Sequence, residues 1–427
     1  MGTLQRNAAR RAALVLATCG VALLGAGQPA DAAPARIFEL APVVAGHTET
    51  AARGLNNQAQ VVGESRGVVN FAGVVLEQRL AAFWDTPAAA SSGPLGGVAL
   101  PGPDTASGYA SAINDAGLIA GGHNGNVVRW SPTAPGVYGG NGQALGNLGP
   151  GAHQAAAINA QGSVTGSFWR CVAADCSTGN QRAWRWDAAD GMQQVGPDSG
   201  FWTYAQAIDG AGSVLVANTP ADNSRLVQIV AADGSVTVVP LTGQVSALGA
   251  TMDMNDAGQI AATRFVDPSA PGAREAFVWS GGAEHRLAHL NPALGGSVAA
   301  INSLGWVVGT ELLGPGDRAA ALWVGTSLVF DLNGLLAGDD ALLWQLTEAT
   351  DINDQGWLVG NGLFRPTVND DYQRRGFLLQ LSADFLGGLP PPDQLFPPPT
   401  AVPLPGTLAL ASLALLVWLG QARRRPA

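Results

Sequence analysis

Apolar and polar positions along the chain follow one pattern that occurs seven times. In each copy an apolar stretch ends at Asn or Asp, a short turn follows, and a second apolar stretch begins. This pattern predicts two strands joined by a tight hairpin turn, with the Asn or Asp side chain capping the turn and a glycine three residues later at positive φ. The capping residues are Asn56, Asn114, Asn159, Asp209, Asn255, Asn302 and Asn353.

A second glycine follows the turn in five copies, at 63, 121, 166, 309 and 360. Glycine inside a strand indicates a bulge or a close approach of another backbone segment. Val216 and Ala262 stand at this position in the fourth and fifth copies, so we expect distorted hairpins there.

Each copy continues into a short aromatic strand, and several continue into a further hairpin, which makes about four strands per copy. The capping residues are 45 to 58 residues apart. We therefore predict an all-β fold, a seven-bladed β-propeller of four-stranded blades spanning residues 36–381. A β-solenoid or an irregular repeat array is the alternative. The last copy stops at Leu381 after its third strand, so the strand at Ile37–Leu40 is expected to complete that blade and close the ring.

The first 32 residues have the pattern of a secretory signal peptide. Arg6, Arg10 and Arg11 come before an apolar run at 12–24, and small residues follow at 30–33. A retained membrane anchor is the alternative.

The other end of the chain has a proline-rich segment at 387–405, an apolar segment at 406–419, and then Arg423, Arg424 and Arg425. This order predicts a linker, a short hydrophobic helix and a membrane stop with cytoplasmic arginines. Residues 402–427, with Val402, Pro403, Leu404 and Pro405 at their start, resemble the PEP-CTERM sorting signal, although Leu404 stands where that family has Glu. The resemblance implies export in a Gram-negative bacterium that makes exopolysaccharide, and an exosortase-type processing enzyme as a partner.

The seven copies also resemble the HAF-type extracellular repeat, in which a hairpin such as AINSLGWVVG at 300–309 is followed by a strand such as AFVW at 276–279. This resemblance implies export and repetition, and it implies no established catalytic activity.

Composition narrows the function classes. Charged residues make up only 13% of the 427, there are 57 glycines, and 32 acidic residues exceed 22 basic ones, all of them Arg. An acidic chain does not suit a nucleic-acid partner. Cys171 and Cys176 are the only cysteines after the signal, and an even pair in an exported protein predicts a disulfide.

Catalytic and metal motifs are weak. GESRG at 63–67 fits the G-x-S-x-G pattern but lacks the helix that this motif requires, and the five histidines are scattered. Acidic turns at 253–256 and 351–354 could bind calcium, although turn capping explains them without a cofactor. Trp306 and Trp357 follow turn glycines and could stack on sugars, but core packing is the simpler interpretation.

We therefore expect an exported, monomeric protein of the outer cell surface or extracellular matrix, a non-enzymatic scaffold or binding module linked to exopolysaccharide. A propeller-type glycoside hydrolase or lyase is one alternative, and it requires two carboxylates on one face of the ring. A cluster of Asp, Glu and Arg at the central channel would favour that enzyme. A permanently tail-anchored envelope protein is the other alternative.

Overall fold

A computed structural model describes residues 33–71, 74–88, 93–102, 107–173, 175–197, 202–219, 226–242, 252–266 and 273–396. These residues form seven four-stranded antiparallel sheets, one for each sequence copy. The predicted seven-bladed β-propeller is confirmed. The predicted signal peptide at 1–32, the helix at 406–419 and the sorting motif from Val402 to Arg425 lie outside the described residues.

The blades are numbered one to seven along the chain, and their strands follow from the axis outward. Blade one contains His47–Leu55, Val61–Phe71, Val74–Trp84 and Gly97–Ala99; blade two, Gly108–Ile113, Ile119–His123, Asn126–Trp130 and Gln143–Ala144; blade three, His153–Ile158, Val164–Cys171, Gly179–Asp187 and Gly191–Val195; blade four, Trp202–Ile208, Val214–Thr219, Leu226–Val230 and Val236–Val239.

Blade five contains Asp253–Met254, Ile260–Phe265, Arg274–Ser280 and Ala283–Arg286; blade six, Gly296–Ile301, Trp306–Gly314, Asp317–Val324 and Leu328–Asp331; blade seven, Trp344–Ile352, Trp357–Phe364, Gln373–Leu381 and Ala35–Glu39. A two-stranded ribbon, Pro132–Ala134 with Val137–Tyr138, extends from blade two. Short helical segments are Leu332–Leu335, Asp340–Leu343, Ala383–Gly387 and Pro392–Gln394.

The first strand of every blade contacts the first strands of both neighbouring blades, so these strands line the central axis. The ring closes where the N-terminal strand Ala35–Glu39 pairs with Gln373–Leu381 of blade seven, with Ile37 opposite Leu379. The predicted closure by the N-terminal segment is thus confirmed. This pairing completes the four-stranded sheet of blade seven, so no strand is left unpaired where that blade meets blade one.

The second glycines lie opposite β-bulges in the first strands. A Cβ atom on Gly309 would lie 2.0 Å from the carbonyl oxygen of Ser297, and the other four of these glycines approach a carbonyl oxygen within 1.9–2.2 Å in the same way. The register shift sits directly beside this contact, between Val298 and Ala300 in blade six. The predicted close backbone approach is confirmed.

The expected distortion of blade four is wrong, because its bulge between Ala205 and Ala207 is retained with Val216 opposite Ala205. In blade five, whose description begins at residue 252, Asp253 and Met254 pair with Ala261 and Ile260. The turn glycines adopt positive φ in six blades, and in blade one Ala59 does so instead, with φ 59°.

The aromatic strands provide the packing between blades. Trp84, Trp130, Trp184 and Trp323, all on third strands, are almost completely buried. Burying one large side chain contributes about 1.5–3 kcal/mol. The repeated aromatic position therefore stabilises each blade against its neighbours.

The structure differs from the predicted linker in its first part, because residues 387–396 of the segment 387–405 lie against the ring. Leu395 and Phe396 are buried, with Phe396 5.5 Å from the His285 ring, and Leu386 packs over Gly356. The prolines of this segment lie outside the strands, but the apolar residues beside them still pack against the ring. Within the described ranges, no helix has both the length and the apolar character needed to span a membrane.

Candidate functional site

A cleft of about 640 Å³ lies where the ring closes, between the first strands of blades seven and one. Gly316–Arg318, the turn between the second and third strands of blade six, forms part of its rim. This turn and the start of the strand Gln373–Leu381 lie at the end of the ring opposite the Asn-capped turns. The cleft therefore opens on that opposite face.

Charged side chains dominate the lining. They are Glu49, Arg53, Glu64, Arg66, Asp317, Arg318, Glu348, Arg374 and Arg375. Five arginines thus face four carboxylates in a chain whose formal net charge is −10. The lining therefore has a small excess of positive charge, in contrast to the net negative charge of the whole chain.

Glu64 is the centre of the blade-one side of the cleft. Its side chain is 0% exposed, and it forms ion pairs with Arg53 (3.3 Å), Arg79 (3.3 Å) and Arg66. A buried carboxylate requires such partners to offset its lost hydration. Three cations around one anion leave two positive charges in excess, and the three arginine side chains are 37–44% exposed, so they reach solvent.

The strand geometry explains this cluster. Arg66 lies directly opposite Arg79 on the neighbouring strand, and Glu64 is two residues before Arg66 on the same face. Arg53 sits in the bulge between Ala52 and Gly54, and a bulge re-aims a side chain. The Arg53 and Arg79 guanidinium carbons also lie 5.8 and 5.3 Å from the centre of the Tyr109 ring.

Asn361 joins the two walls of the cleft. Its Oδ1 accepts from the backbone N–H of Ala52 at 2.9 Å, and its Nδ2 donates to the Ala52 carbonyl at 3.2 Å and to Glu348 Oε1 at 2.9 Å. Arg375, also buried, donates through Nε to Glu39 Oε1 at 2.7 Å. The cleft is therefore built into the closure of the ring and is rigidly supported.

The G-x-S-x-G segment forms part of a strand. Ser65 is fully buried, and its Oγ lies 2.8 Å from His47 Nδ1, whose Nε2 lies 3.2 Å from Gln78 Oε1. This contact could not be predicted from the sequence, because 18 residues separate His47 from Ser65. No strand-to-helix turn exposes the hydroxyl, so the arrangement packs blade one and does not present a nucleophile.

The acidic turns cap backbone groups of neighbouring blades. Asp253 Oδ2 accepts from the N–H of Ile301 at 2.9 Å, and Asp351 Oδ2 accepts from the N–H of Leu55 at 2.8 Å. Burial raises the pKa of Asp253 to about 6, and burial together with the nearby Asp253 charge raises the pKa of Asp351 to about 7. Across the described parts of the chain, no three His, Cys, Asp or Glu side chains are placed to hold a metal ion.

The remaining predicted positions have structural roles. Cys171 and Cys176 form a disulfide at the end of the hairpin that joins the second and third strands of blade three. Trp306 is buried and Trp357 stacks on Phe38 with ring centres 6.1 Å apart, which agrees with the core-packing interpretation.

No protein-family model and no curated protein matches the chain. Among solved structures, it is similar to a puromycin-hydrolyzing peptidase from Mycobacterium tuberculosis, with 14% identity, a TM-score of 0.40, and coverage of 77% of this chain and 50% of the peptidase. It is also similar to a gluconolactonase from Xanthomonas campestris, with 13% identity, a TM-score of 0.32, and coverage of 82% and 90%. The chain thus spans half the length of the peptidase, and these distant similarities assign no activity to it.

Proposed function

We propose that this protein is an exported, non-catalytic binding module of the cell surface or extracellular matrix, and that its arginine-lined cleft binds an acidic polysaccharide. The observation that carries the proposal is the Glu64 cluster, in which three arginines share one buried carboxylate and two of them, Arg53 and Arg66, line a cleft of about 640 Å³. This size falls in the usual range of small-ligand sites, roughly 300–1,000 Å³.

The chemistry of the lining suits a polymer of uronic acid units. Guanidinium groups bind carboxylates through paired, charge-assisted hydrogen bonds. The amides and hydroxyls of Gln345, Thr347 and Asn361 add donors and acceptors for sugar hydroxyl groups. Since the remainder of the chain is acidic, a polyanion is drawn to this cleft and repelled elsewhere.

Export is supported by the sequence of the two ends. The signal-like segment at 1–32 and the PEP-CTERM-like segment at 402–427 support a location outside the cytoplasm, and the proposed processing partner is an exosortase-type enzyme. The Cys171–Cys176 disulfide suits an oxidising compartment. An acidic exopolysaccharide would be the ligand available there.

The test is a calorimetric titration of the purified protein with alginate oligosaccharides, which are polyuronates, and with neutral dextran. Alginate should bind, with affinity that falls as salt increases, and R66Q should weaken it about tenfold or more, since one charge-assisted contact contributes about 1.5–3 kcal/mol. R286Q is the matched control, because Arg286 is 74% exposed on blade five and pairs with Glu275. Absence of binding to alginate and to other acidic polysaccharides would overturn the proposal.

A polysaccharide lyase or hydrolase is the second candidate, because the cleft does combine glutamates with arginines at the channel. Two of its carboxylates are already engaged, Glu64 by arginines and Glu348 by Asn361. The titrated samples should therefore contain neither new reducing ends nor unsaturated uronate products. If these products formed with the unaltered protein and not with R66Q, the cleft would be a catalytic site, and the proposal of a non-catalytic binding module would be wrong.

A further inference from the structure

Three aromatic side chains meet in the groove between blades three and four. The Trp169 and Trp202 ring centres lie 5.5 Å apart, and those of Trp202 and Tyr204 lie 6.3 Å apart with planes only 4° from parallel. Trp202 and Tyr204 are two residues apart on one strand, so their rings stand side by side on one face. The Trp169 plane is tilted by 48° from that of Trp202, so the three rings form an angled aromatic surface.

This cluster differs from the other tryptophans because it belongs to none of the hydrophobic cores. Trp169, Trp202 and Tyr204 are all partly exposed. Every other tryptophan in the described ranges is a member of a core or packs against one: Trp84, Trp130, Trp184, Trp186, Trp279, Trp306, Trp323, Trp344 and Trp357. Core packing thus accounts for those nine, whereas Trp169 and Trp202 touch each other across blades three and four and join none of the cores.

The surroundings of Trp169 keep its ring in place. A Cβ atom on Gly179 would lie 2.7 Å from the indole, so the glycine provides the space that the ring occupies. Gln181 lies directly opposite Trp169 on the neighbouring strand and therefore on the same sheet face. Its Oε1 is shielded and has no hydrogen-bond partner among the described residues. The Cys171–Cys176 disulfide closes the same hairpin two residues beyond Trp169.

We infer that Trp169, Trp202 and Tyr204 form a second binding site, which takes the flat face of a neutral pyranose ring in a glycan. The C–H groups of a pyranose face pack on aromatic π-surfaces, and a neighbouring amide such as Gln181 pairs with ring hydroxyl groups. Trp169 lies near the end of its strand and Trp202 begins its strand, so the site is on the face opposite the Asn-capped turns. The arginine-lined cleft opens on this same face.

This site is separate from the arginine-lined cleft, because it lies between blades three and four and the cleft lies between blades seven and one. A direct test is affinity electrophoresis of the full chain through gels that contain a neutral glycan. The glycans are β-1,3-glucan, xylan and hydroxyethyl cellulose, each in a form without uronate. At least one neutral glycan should retard the protein. W202A should reduce the affinity about tenfold, which corresponds to the loss of one aromatic contact of about 1.5 kcal/mol.

Conservative and distant variants separate binding from folding. W202Y should retain most of the retardation, because an aromatic face remains, whereas W357F should retain all of it. R66Q should weaken alginate binding about tenfold or more and leave the neutral-glycan retardation unchanged, so the two sites can be impaired separately. Retardation by no neutral glycan, or equal retardation of W202A, W202Y and the unaltered protein, would overturn the inference.

Discussion

The side-chain amide of Asn353 donates a hydrogen bond to the main-chain carbonyl of Asn56 at 3.0 Å, and this bond joins the last blade to the first across 297 residues. The same bond links most neighbouring blades at 2.8–3.1 Å: Asn56 to Asn114, Asn114 to Asn159, Asn159 to Asp209, Asn255 to Asn302, and Asn302 to Asn353. The turn cap is therefore also a circular clamp. Only the step from blade four to blade five lacks the bond, because the Asp209 carboxylate has no N–H to donate.

Replacing Asp209 with Asn should complete this clamp. The new amide would donate to the Asn255 carbonyl, and its oxygen could still accept from the N–H of Ser213, as Asp209 does at 2.7 Å. One added hydrogen bond contributes about 1 kcal/mol, which urea unfolding can measure. D233N is the control, since Asp233 caps an outer turn on the same blade. A D209N gain no larger than that of D233N would contradict the circular clamp.

The two glycine positions of the repeat, represented by Gly309 in blade six and Gly258 in blade five, should differ in their tolerance of alanine. G309A forces a Cβ atom against the Ser297 carbonyl and should cost about 3 kcal/mol, through a backbone shift in the bulge. G258A, at φ 73° with open space around it, should cost only about 1–2 kcal/mol from the left-handed conformation.

The free energies of unfolding in urea provide this comparison. Gly96 lies in open space without a positive φ, so G96A should be nearly neutral. If G309A proved as mild as G96A, the close approach at the bulge would not be a constraint on the sequence.

Stability should fall as pH rises, through Asp351. Its pKa of about 7 in the folded protein lies above the ordinary value of 3.8, so the folded state binds this proton more tightly than the unfolded state. The resulting stabilisation is complete below about pH 4 and is lost as pH rises through 7. D351N does not titrate, and its stability relative to the unaltered protein should therefore improve by about 2–3 kcal/mol between pH 5 and pH 8, since pH 5 lies about two units below the folded pKa.

Asp253 provides the internal check on this pH effect. Its charge contributes to the raised pKa of Asp351, so the pH-dependent improvement should be smaller when D351N is made in a D253N background. Thermal unfolding of the four proteins at both pH values measures it. An improvement that is independent of pH would mean that Asp351 does not titrate in this range.

Removing Asn361 should loosen the closure of the ring. N361A leaves the bulged N–H of Ala52 without its acceptor and Glu348 without its donor, at a cost of about 1–3 kcal/mol. Hydrogen exchange should show faster exchange at Ala52 and along the strand His47–Leu55, with little change in blade three. Uniformly faster exchange in all blades would indicate that Asn361 has no specific role at the seam.

The sequence predicted the blades well because their signals are local. A capped turn such as that at Asn302 and a glycine such as Gly309 determine hairpins within ten residues, and the missing fourth strand of the last copy indicated closure. The cleft could not be predicted in this way. Glu64 and Arg79 lie on different strands, and the Asn361 wall comes from the other end of the chain.

The direction in which a side chain points from its strand could not be predicted from the sequence either. Trp306 and Trp357 pack inward, as core packing predicts for them, but the partial exposure of Trp169 and Trp202, which stand in ordinary strands, was not predicted. The bulge at Arg53 has a similar effect, since one extra residue turns a side chain towards Glu64. Such outcomes depend on register and on neighbouring blades, which a single repeat does not encode.

The first and last strands of the ring end side by side. Ala35 is paired with Leu381, and the N–H of Ser382 donates to the carbonyl of Pro34 at 2.8 Å. A force applied between Ala35 and Leu381 would act on this first pair and separate the strand Ala35–Glu39 by breaking its hydrogen bonds one after another. In that geometry the strand that closes the ring opens like a zipper, with one pair of residues loaded at a time.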